Sequence, residues 1–111
     1  MEAIELARVA AEALSDKKGE DIKIIDITGI ADFADYFVIG TGNNPNQIEA
    51  MEEAADEALT KAGANHKNTE GNRDSNWILL DYGDVIVHIF DKESRSFYDL
   101  DRIWKDGKVV D

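Results

Sequence analysis

The segment from Trp77 to Phe90, WILLDYGDVIVHIF, constrains the fold more than any other part of this chain. Two near-continuous apolar runs flank a short insert, DYGD. Successive side chains of a strand point to opposite faces, so Val85, Val87 and Ile89 share one side of 85–90 and Ile86, His88 and Phe90 the other. A strand that is largely apolar on both sides belongs inside a sheet covered on both faces. Residues 77–80 and 85–90 are thus expected to pair antiparallel. The insert makes a tight connection in which Gly83 is free to take positive φ. It also places Asp81, Asp84 and an exposed-looking Tyr82 together at the turn.

The remaining elements follow from periodicity. Ile4, Ala7, Ala11 and Leu14 have the three–four spacing of one helical face, with acids near the start, Lys17 and Lys18 near the end and Gly19 as a stop. DIKIIDIT (21–28) reads as a β-branched strand, 28–34 as a loop and Asp35 to Thr41 as a second strand. A helix is expected from Pro45 to Ala62, with Asn44 as N-cap and Gly63 as the stop. Its buried stripe is Ile48, Met51, Ala55, Ala58, Leu59 and Ala62. Residues 64–76 are polar and hold at most a short edge strand. The tail SRSFYDLDRIW suggests an amphipathic helix anchored by Phe97, Leu100, Ile103 and Trp104. The order α-β-β-α-β-β-α indicates a single α/β (α+β) domain over 1–111, with one mixed sheet flanked by helices.

Charge restricts the function classes. Twelve Lys and Arg face twenty-four Asp and Glu, a formal net charge of -12 over 111 residues. Nucleic-acid affinity comes largely from neutralised phosphates, and Lys17, Lys18, Lys61, Lys67, Arg73, Arg95 and Arg102 are scattered. Direct nucleic-acid binding is therefore not expected, whereas a basic protein partner is. There are no cysteines, which removes disulfides, thiolate catalysis and sulfur-based zinc sites and suits a reducing cytoplasm. No apolar run reaches the ~20 residues that span a bilayer, and Met1 leads into an acidic segment rather than a basic signal peptide.

Candidate chemistry is thin. GTGNNPNQ runs from a strand to a helix start, where backbone N–H groups could hold an anion, but it lacks the Walker spacing and lysine. Its plainer reading is a tight glycine turn before a capped helix. His66 and His88 are far apart and neither has a ligand partner at metal spacing; His88 reads as a core or interface histidine and His66 as a loop residue. Asp99 and Asp101 resemble a D-x-D metal pair but fall on a polar helix face. The serines Ser15, Ser75, Ser94 and Ser96 have neither a nucleophile elbow nor a paired histidine. No catalytic residue, metal or cofactor is expected. By contrast, Trp77 and Tyr82, with Phe97, Tyr98 and Trp104 nearby, place aromatic side chains around one expected sheet end. Aromatic anchors ringed by charge are the usual make-up of a binding hot spot.

ADYFVIGTG at 34–42, Gln47 ahead of a helix, Glu70-Gly71, Trp77, LLDYGDVIVHIF and then RSFYDLDRIW at 95–104 together resemble the ribosomal silencing factor family, also called RsfS or Iojap. The resemblance covers about residues 2–105. It implies a nucleotidyltransferase-like fold with no transferase activity, because the family-related enzymes' Gly-Ser and strand D-x-D are absent after Gly40. It also implies binding to the large-subunit ribosomal protein numbered fourteen, on the face that meets the small subunit. Occupying that face blocks subunit joining and represses translation. Carried over, the recognition residues are Trp77, Leu79, Asp81, Tyr82, Asp84 and His88, with Tyr36 and Arg95. The chain departs from the family where a serine is frequent at position 31 and a serine and an arginine at 44 and 46; here these are Ala31, Asn44 and Asn46. The alternatives are a nucleotide-binding nucleotidyltransferase that uses the loop after Gly40, and a homodimeric scaffold that uses the same aromatic patch.

Overall fold

The computed structural model describes residues 2–72, 74–98 and 108–110, with 96–98 described for the backbone alone. In chain order the elements are α1 (Ala3–Asp16), β1 (Glu20–Asp26), β2 (Tyr36–Gly42), α2 (Pro45–Lys61), β3 (Asn68–Glu70), β4 (Trp77–Asp81), β5 (Val85–Asp91), α3 (Lys92–Tyr98) and β6 (Lys108–Val110). The strands form one six-stranded sheet in the order β3-β4-β5-β2-β1-β6. β2 and β5 run parallel, and every other neighbouring pair is antiparallel. This is the mixed sheet with helices expected from the sequence.

β5 lies between β4 and β2, and every residue from Val85 to Phe90 is buried. The physical reason is the one that made the segment legible: apolar side chains on both faces leave no solvent side. Val85, Val87 and Ile89 join Val38, Ile78 and Leu80 beneath α1 and α2. On the opposite face Ile86 and Phe90 pack with Ile25, Ile27, Phe37 and Ile39. The DYGD connection is a tight turn with Gly83 at φ 84°, closed by the Tyr82 N–H donating to the Val85 carbonyl at 2.9 Å.

Glycines bring the helices close to the sheet. A Cβ on Gly40 would lie 2.9 Å from Leu14 Cδ1, and one on Gly42 would lie 2.6 Å from Ile48 Cγ1. Both residues belong to β2, so they serve helix–sheet packing rather than the tight turn expected of GTGNNPNQ. At the end of α1 the positive φ (66°) falls on Lys18. Gly19 is instead required for space, since its Cβ would meet Met51 Cε at 2.8 Å. β1 starts and stops earlier than expected, and β6, which pairs with β1 through Ile24, Ile25 and Asp26, was not anticipated. The third helix begins at Lys92; the anchors Leu100, Ile103 and Trp104 and the Asp99/Asp101 pair lie outside the described residues.

Candidate protein interface

Alternation along β4 sorts its side chains. Ile78 and Leu80 are buried beneath the helices, while Trp77, Leu79 and Asp81 are half-buried on the other face. Register then assembles this second face row by row. Trp77 lies opposite Phe90, Leu79 opposite His88 and Asp81 opposite Ile86, and β2 continues the rows with Thr41, Ile39 and Phe37. The edge strand adds Glu70 opposite Leu79 and Asn68 opposite Asp81.

His88 is the polar residue at the centre of this apolar face. Only 4% of its surface is exposed. Its Nδ1 accepts a hydrogen bond from the Trp77 indole Nε1–H at 3.0 Å. Because an indole N–H can only donate, the proton of the neutral imidazole sits on Nε2, and that atom is buried without a hydrogen-bond partner. Burial pushes the imidazole pKa down to about 3, so it stays neutral and remains an acceptor. The Phe37 ring meets His88 edge-on at 4.6 Å, and Phe90 stacks on Trp77 at 5.0 Å between centroids. Trp77 is thus a half-exposed anchor whose orientation is set from below.

The acids occupy the far end of β4. One Asp81 carboxylate oxygen accepts from the Gly83 N–H at 2.8 Å, which shapes the turn. Asp84 is exposed, and its carbonyl accepts from the N–H groups of Asp35 and Tyr36 at 2.8 and 3.0 Å, tying the turn to the start of β2. Tyr36 pairs with Val85 and packs against the helix-side core. Arg95 is at the Trp77 end, donating from Nη1 to Thr41 Oγ1 at 2.9 Å. At about 3.3 Å per residue, Trp77 and Asp81 stand roughly 13 Å apart, so aromatic and acidic groups line one strand rather than cluster at one sheet end.

Tyr82 departs from expectation. It is buried, 6% exposed, and lies on the helix side of the sheet. Its hydroxyl donates to Asp56 Oδ1 at 2.5 Å. Burial, followed by that hydrogen bond and charge, raises its pKa. His66, expected to be a plain loop residue, stacks on the Tyr82 ring at 4.9 Å and places Nδ1 3.2 Å from the same Asp56 oxygen. The turn is therefore fastened to α2 by a Tyr82–Asp56–His66 cluster that sequence spacing could not show. The side chains of Phe97 and Tyr98, and the whole of Trp104, lie outside the described residues.

The start of α2 is occupied by its own chain. Asn44 Oδ1 accepts from the Gln47 N–H at 2.8 Å, as expected of the N-cap. The Gln47 side chain accepts from the Asn43 N–H at 2.6 Å and donates to the carbonyls of Lys17 and Lys18 at 3.1 and 2.9 Å. These bonds lock α2 to the end of α1 and use donors that an anion would need. Among the described residues no group of three or more His, Asp or Glu is placed to hold a metal ion, and no helix is long and apolar enough to cross a membrane.

Comparison with known proteins adds a family. The model of a family described as "Ribosomal silencing factor during starvation" matches residues 1–111. A Bacillus subtilis protein named ribosomal silencing factor is 39% identical over 106 residues, covering 96% of this chain and 90% of that protein. The chloroplastic protein Iojap of Arabidopsis thaliana is 31% identical over 98% of this chain, which spans 44% of that longer protein. Among solved structures, a Chromobacterium violaceum protein superposes with a TM-score of 0.89 at 33% identity, covering 95% of this chain and 88% of that one.

Proposed function

This chain belongs to the ribosomal silencing factor family, and we propose that it represses translation by binding the large-subunit ribosomal protein numbered fourteen and so keeping the small subunit away. It acts as a single-domain, non-enzymatic cytoplasmic protein, by steric occlusion. The observation that carries this reading is the strand that presents Trp77, Leu79 and Asp81 side by side on the face opposite α1 and α2. An aromatic anchor fixed by a buried histidine, an adjacent aliphatic and a carboxylate suit a basic protein surface. Two observations favour binding over nucleotidyl transfer: Gly40 and Gly42 are filled against by helix side chains, and the α2 N-terminus is capped by Asn44 and Gln47. Within the recognition set, Trp77, Leu79 and Asp81 touch the partner, Asp84 steers it, and His88, Tyr82 and Tyr36 support the contact surface. Arg95 borders the Trp77 end.

The test uses purified ribosomal subunits mixed with excess protein and sedimented through a gradient. Joined ribosomes should fall in proportion to the protein added, with the protein travelling with large subunits. Normal subunit joining at saturating protein would overturn the proposal.

A further inference from the structure

Beside Trp77 the second face holds a cleft of about 180 Å³, lined by Glu70, Gly71, Trp77 and Leu79. That is below the roughly 300–1,000 Å³ of small-molecule sites and suits a single side chain. Three features shape it. Gly71, at φ 86°, passes so close to β4 that a Cβ there would collide with the Trp77 carbonyl, so this wall carries no side chain. The Trp77 indole N–H is already committed to His88, so the ring offers a visitor its apolar and π surface rather than a donor. Glu70 is exposed on the edge strand, directly across the ladder from Leu79, and none of the described ion pairs engages it.

The geometry points to a specificity cleft for one basic side chain of the protein partner. Its aliphatic stem lies along Trp77 and Leu79, and its cation meets the Glu70 carboxylate. A long cationic side chain satisfies each wall at once: methylenes against Leu79, positive charge near an indole and an opposite charge at the mouth. Glu70 is thereby a specificity-determining residue, reading arginine or lysine at one position. This inference rests on the reading that the face docks a basic ribosomal protein.

Binding to isolated large subunits should be measured for the wild type, Glu70→Gln, Glu70→Asp and Glu70→Lys. Glu12→Lys, an exposed charge reversal on α1, controls for net charge. Glu70→Lys should bind about tenfold or more weakly than Glu12→Lys. Glu70→Gln should bind more weakly than wild type with a flatter salt dependence. Glu70→Asp, which keeps the charge but shortens its reach, should lose a smaller but measurable factor. If the wild type binds and Glu70→Lys matches Glu12→Lys, or Glu70→Gln matches wild type, the cleft assignment falls while the docking reading stands. If the wild type itself fails to bind large subunits, the docking reading falls first. Thermal unfolding of each variant separates a lost contact from a lost fold.

Discussion

His88 is almost wholly enclosed by Trp77, Phe37 and Phe90, so charging it means placing a cation in an apolar layer. Its folded-state pKa of about 3 lies below the ordinary value of 6.5. Between those values the unfolded chain takes up the proton and the folded chain refuses it. The stability this histidine supports is therefore fully present above about pH 6.5 and is lost as pH falls toward 3. From pH 7 to pH 5, wild type should lose about 2 kcal/mol more than His88→Gln in urea unfolding, as one proton linkage implies. Equal losses would show that His88 is not the group responsible. Trp77→Ala, which removes the anchor, should weaken large-subunit binding by about 2 kcal/mol or more, read by co-sedimentation. Tyr82→Phe should behave differently. It deletes a hydroxyl bonded to Asp56 and should lower stability by about 1 kcal/mol in denaturant titration, with a smaller loss of binding than Trp77→Ala.

Within elements, short-range signals were reliable where one residue acts on its near neighbours. Asn44 and Pro45 were readable as the start of α2 because a cap needs only the next turn of backbone. Asn44→Ala should cost about 1 kcal/mol of stability, seen as a lowered Tm, because Asn44 Oδ1 would no longer satisfy the Gln47 N–H. The β4–β5 hairpin was readable for a similar reason: Gly83 at φ 84° and the alternation on either side are local facts. β6 was not. Its residues, KVV, are too few to show a period, and their pairing with Ile24, Ile25 and Asp26 spans most of the chain. Gln47 shows the same limit, since its hydrogen bonds to Lys17 and Lys18 cross between helices.

Across the whole molecule the net charge of -12 sets a field that would draw a basic partner from beyond contact distance and is screened by salt. Asp81 and Asp84 carry the part of that field at the turn end of β4. Replacing both by asparagine keeps an oxygen for the Gly83 N–H that Asp81 now accepts, so the turn is preserved while the charge is removed. The association rate with large subunits should fall and its salt dependence should flatten, measured by stopped flow. Rates unaltered by the double substitution would assign steering to acids elsewhere. The apolar exposure of Phe33 and Val109, 58% and 57%, also lies toward this second face, through Phe37 and Ile25.

The candidate surface was partly legible from residues alone. Trp77, Leu79 and Asp81 alternate with Ile78 and Leu80, so a shared face followed from the strand's period of two, and the neutral acceptor role of His88 was consistent with its apolar neighbours. The burial of Tyr82, the contact of His66 with Asp56 and the place of Glu70 beside Leu79 could not be read that way. Each depends on a partner distant in sequence: α2 closing over Tyr82, Asp56 bridging to His66, and β3 registering Glu70 opposite Leu79. Local order is encoded in spacing because neighbouring residues are joined by the backbone. Which side of the sheet α1 and α2 cover is decided only when tertiary contacts close.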